Sequence, residues 1–111
     1  MRFLNRITND AHQRYFLTGN DDETITMTLR YLPSQESWFM DIAYNDFTVF
    51  GLRVVKSINL LRQWRNILPF GISCYSKDIL DPVFIDDFQS ERCALHLLDA
   101  EEVQILEDRL S

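Results

Sequence analysis

The chain has 111 residues, 46% of them hydrophobic and 25% charged, a balance that fits one globular domain and excludes fibrous and disordered chains. At 13.2 kDa the expected folded surface is roughly 6,400 Å² against roughly 19,000 Å² unfolded, enough burial for one modest core without disulfides or a metal. No apolar run approaches the roughly 18 residues of a membrane span, and Met1–Arg6 does not lead into a signal-peptide core, so a soluble protein made in a cytoplasm is expected. In that setting Cys74 and Cys93 read as buried thiols rather than a bridge.

Period-2 alternation dominates the chain. Gln13–Thr18 predicts a short strand, and Gly19-Asn20-Asp21-Asp22 after it a turn. Glu23–Leu32 is the clearest strand: Thr24, Thr26, Thr28 and Arg30 alternate with Ile25, Met27, Leu29 and Tyr31. Pro33-Ser34-Gln35-Glu36 predicts the next turn and Trp38–Tyr44 the returning strand. Asn45-Asp46 turns into Phe47–Val55, where Gly51 marks a candidate bulge. Asn59–Arg65 predicts one or two helical turns, capped by Ser57 or Asn59 and ended by Pro69. Phe70–Ser76 and Arg92–Leu98 read as further strands around the acidic loop Lys77–Glu91. Asp99 followed three positions on by Glu102 is a capping signature for a helix over Ala100–Leu110. That helix is too short to stand alone, so the face carrying Val103, Leu106 and Leu110 must dock. The expected fold is mainly β: a small antiparallel barrel or sandwich with a helical segment near 59–66 and a C-terminal helix. Its parts are an N-terminal arm (1–12), a β domain (13–99) and the helix (100–111).

The net charge of −6 is unevenly divided. Residues 77–111 set Lys77, Arg92 and Arg109 against ten carboxylates, a net −7, which leaves +1 for residues 1–76. Phe47–Ser76 holds Arg53, Lys56, Arg62 and Arg65 and no acid. Nine of the eleven basic residues are Arg, whose planar, weakly hydrated fork suits protein interfaces. A basic middle and an acidic tail pair either within one molecule or between neighbours. Trp64, set among Arg62, Gln63 and Arg65, is either an interface anchor or a plug on its own core. The candidate interface is therefore Arg53, Lys56, Arg62, Trp64 and Arg65, with Asp86, Asp87, Leu106 and Leu110 from the tail. An acidic chain without a basic stripe is a poor nucleic-acid binder.

Catalytic and metal patterns are missing from the sequence. His12 and His96 are the only histidines, the cysteines lie nineteen residues apart, and no Cys-x-x-Cys or His-x-x-x-His spacing occurs. Asp78, Asp81, Asp86 and Asp87 lack the alternation and Gly turn of a calcium loop. There is no Gly-x-Ser-x-Gly elbow, and Gly19, Gly51 and Gly71 are too scattered for a phosphate loop. Neither an enzyme nor a cofactor is expected.

An ordered series of landmarks spans roughly residues 13–103. It runs Gln13-x-Tyr15-Phe16, Ile25-x-Met27-x-Leu29-Arg30-Tyr31, Trp38-Phe39-x-Asp41-Ile42 and Phe50-Gly51-Leu52-x-Val54-Val55. It continues through Asn59-Leu60-Leu61-x-x-Trp64, Phe70-Gly71-Ile72, Pro82, Asp86-Asp87-Phe88 and Leu95-x-Leu97. In order and spacing this resembles the baseplate plug proteins of contractile-tailed bacteriophages. That family has Gly-x-Asp-Leu-Leu and a following Tyr where this chain reads Ser57-Ile58-Asn59-Leu60-Leu61 and Trp64, so a role needing a carboxylate there is not carried over. The resemblance implies a mostly-β structural subunit of the virion, at the junction of tail tube and baseplate hub, assembled in the host cytoplasm. It implies no catalysis and no cofactor. Hub and tube proteins are the expected partners, with a homo-oligomer in the tail and neither membrane nor nucleic acid bound. The competing reading is a soluble small-barrel adaptor outside any virion.

Overall fold

The computed structural model describes residues 2–4, 6–18, 24–78 and 80–110, with the side chain of Leu110 outside the description. The strand β1 (Arg2–Phe3) comes first, followed by a four-stranded antiparallel meander. The meander consists of β2 (His12–Thr18), β3 (Thr24–Leu32), β4 (Ser37–Tyr44) and β5 (Phe47–Arg53). Alternation in β3 sends Ile25, Met27 and Leu29 fully inward, while Thr24, Thr26 and Arg30 lie on the other face. The expected Gly19–Asp22 turn lies outside the described residues. The Pro33–Gln35 link is a 3-10 turn closed by Glu36 at φ 48°, and Asn45 takes φ 52° in the next turn.

The anticipated bulge forms at Gly51. Met40 pairs with Leu52 and Ile42 with Val49, so Phe50 and Gly51 together oppose Asp41. Gly51 sits at φ +69°, which a side chain would strain. Its N–H donates to Asp41 Oδ1 at 2.8 Å, the oxygen that also takes the Arg30 guanidinium at 3.0 Å.

The second sheet runs in the order β1, β7 (Cys93–Leu98), β6 (Gly71–Ser76). The N-terminal residues contribute to this sheet. Arg2 pairs with Leu97 and Phe3 with His96, the Leu4 N–H continues to Leu95 O at 2.9 Å, and Ile7 is buried. A two-residue strand is too short to leave a periodic trace, but it covers one edge of β7 and extends the sheet.

The two sheets turn their apolar faces toward one shared core and do not close into a barrel. Trp38 is at its centre, wholly buried, edge-on to Phe88 at 5.6 Å and tilted against Tyr31 at 5.4 Å. Its indole N–H donates to Phe84 O at 3.1 Å, satisfying the polar atom that burial would otherwise leave stranded. Cys74 and Cys93 are free, buried thiols, and burial pushes the Cys74 thiol up to about 12.

The segment between the sheets is tied down by Asn59. Its Oδ1 accepts the N–H of Leu61 at 3.0 Å and of Ile72 at 3.1 Å, and a Cβ on Gly71 would stand 2.6 Å from that oxygen. The expected helix near 59–66 is a 3-10 turn over Arg62–Trp64, a common connector where the chain must turn within a few residues. The terminal helix α1 (Ala100–Leu110) starts on the predicted box. The Glu102 N–H donates to Asp99 Oδ1 at 2.8 Å, and the Asp99 N–H to Glu102 Oε1 at 3.1 Å. Val103 is the buried anchor of the helix and Leu106 is half-buried.

Candidate functional site

The basic segment divides once folded. Arg62 Nε and Arg65 Nε each lie 3.2 Å from the Glu107 carboxylate of α1, so the middle and the tail meet within one molecule. Trp64 is half-buried and packs against the core. The exposed Lys56 is also engaged: its N–H donates to Asp81 Oδ1 at 2.9 Å and its Nζ to Asp78 O at 3.1 Å. Arg53 stays exposed at the end of β5.

Among the acids, Asp87 is not a surface residue. It is 2% exposed and accepts the N–H of Val83 and of Phe84, each at 2.8 Å. The Arg92 fork closes on both oxygens, at 2.8 Å from Nε and 2.6 Å from Nη2. Burial pushes the Asp87 carboxyl up, but the Arg92 guanidinium and the two backbone donors outweigh it, so the group titrates below the usual carboxylate range. Arg92 also donates to Asp78 Oδ1 at 2.7 Å and to Asp81 O at 2.8 Å, which makes it the hub of residues 76–92. In sequence Arg92 stands out only as a charge. Its signal was there: it is the single arginine between Lys77 and Arg109, surrounded by carboxylates. Asp86, one position from Asp87, is exposed. The candidate contact at Leu110 lies outside the described residues.

Two surface features emerge that periodicity did not single out. The outer face of the four-stranded sheet carries Phe16 and Phe50, 72% and 78% exposed. Across this face the register sets a row of small residues next to Phe16: Phe16 opposes Thr26, Thr26 opposes Ala43, and Ala43 opposes Thr48. Along this row, and bounded by Phe50, lies a shallow trough of about 320 Å³ with Arg14 among its lining residues. Elsewhere, the loop between β6 and β7 holds Leu80, Phe84 and Ile85 partly out to solvent.

A family model described as cyanophage baseplate Pam3 plug gp18 matches residues 4–100, taking in β2 to β7 and stopping at the first residue of α1. No curated protein matches the chain.

Proposed function

We propose a role in tail assembly for this chain, which belongs to the cyanophage baseplate Pam3 plug gp18 family. Membership makes it a structural component of a phage baseplate, working among other baseplate proteins in the virion tail. The finer reading is a subunit at the junction of tail tube and hub that oligomerises around the tail axis and acts through protein–protein contacts alone. The match over residues 4–100 carries this reading, because it spans both sheets rather than a local motif. The division of charge supports it. Asp87 and Arg92 are committed to holding the fold, while Arg53 and Asp86 remain exposed. Arg53 and Asp86 are proposed as contact residues on this basis, with Lys56 and Leu106 as secondary contacts.

Co-expression with the tube and hub proteins of the same phage tests the proposal. The chain is expected to co-elute with both on gel filtration. Elution alone, in the presence of folded tube and hub, would overturn the junction reading.

A further inference from the structure

Residues 83–88 of the loop between β6 and β7 are anchored to the sheets below. Tyr31 Oη donates to Val83 O at 2.7 Å and the Trp38 indole to Phe84 O at 3.1 Å. Asp87 and Arg92 clamp it from the other side, and Phe88 is buried in the core. Yet Leu80, Phe84 and Ile85 are 51%, 55% and 38% exposed, with Asp86 exposed beside them. A rigid loop that keeps apolar side chains in water is pre-organised for a partner, since little ordering entropy is left to lose.

The trough on the outer sheet face has complementary chemistry. Phe50 walls it and Thr26, Ala43 and Thr48 floor it, with Arg14 at its margin and Phe16 exposed on the same sheet face. The Arg30–Asp41 pair is internally neutral, so the exposed Arg14 and Arg53 leave this face positive on an acidic protein. The loop cannot reach its own trough. Its Phe84 carbonyl receives the indole of Trp38, which points into the core from β4, whereas the trough lies on the opposite face of that sheet.

We infer that the apolar, acidic tip at Phe84, Ile85 and Asp86 of one copy docks in the Phe50 trough of a second copy, with Asp86 facing Arg14. The contact is heterologous, so each copy offers one tip and one trough, and repetition builds a ring or an open chain. This deepens the assembly role proposed above and rests on it.

Sedimentation equilibrium of the full chain tests the contact. The wild type should self-associate reversibly. Phe50→Asp, which spoils only the trough, and Asp86→Arg, which spoils only the tip, should each lower the association constant at least tenfold with unchanged melting temperature. A mixture of the two variants should form a 1:1 dimer and nothing larger, because one intact tip and one intact trough remain. A mixture that stays monomeric, association indifferent to both variants, or a wild type that is monomeric throughout overturns the inference. Co-elution with tube and hub is read separately, so failure of this contact is distinct from failure of the junction role.

Discussion

Arg92 and the pair Arg62 and Arg65 are alike in sequence, each an arginine reaching a carboxylate elsewhere in the acidic tail, but they work in different surroundings. Arg92 is 19% exposed and its partner Asp87 only 2%, with two further backbone donors completing the carboxylate's shell. Arg62 and Arg65 are 50% and 42% exposed where they meet Glu107. Water competes for the second pair and hardly for the first, so only the first is expected to decide whether the domain folds. The position of a charge relative to the core, more than its sign or count, sorts fold residues from surface residues here.

Breaking the buried pair is expected to have the largest effect. Asp87→Ala leaves Arg92 without its main partner and should cost about 3–5 kcal/mol, read from urea denaturation. Equal stability of variant and wild type would reverse the ranking. Next comes Asp41, whose carboxylate serves both Arg30 and the Gly51 N–H at the bulge. Asp41→Ala should cost about 1–2 kcal/mol, between the two extremes. The exposed fork ranks last: Glu107→Ala should cost at most about 1 kcal/mol, less at high salt, and hydrogen exchange should show the loss confined to α1.

Acid sharpens the same contrast. The Asp87 carboxyl lies below its ordinary value, so its contribution is full above the unfolded value of about 3.9 and disappears as pH falls through the folded value. The difference in melting temperature between wild type and Asp87→Asn should therefore be largest near neutral pH and shrink below about pH 4. A difference that is constant from pH 7 to 2.5 would remove the ion pair from the account.

The strands and the helix cap were legible because their signals are local. Ile25, Met27 and Leu29 alternate with threonines within one strand, and Asp99 and Glu102 are three positions apart. Arg92 was not legible in its role because its partners, Asp78 and Asp87, are brought to it by the fold of an irregular loop. Asp87 reads as a surface acid in sequence because nothing in Asp86-Asp87-Phe88 says which of the two carboxylates turns inward with Phe88. The trough needed strand register: Phe16 and Phe50 are far apart in the chain and share a face only once β2 to β5 are in order. β1 was missed because two residues carry no period.

The most direct test of the account is an electron-microscopy reconstruction of the tail that carries this protein. The account predicts density for the two-sheet domain on the tail axis, between the tube and the hub. Density for the chain only at the baseplate periphery would contradict it.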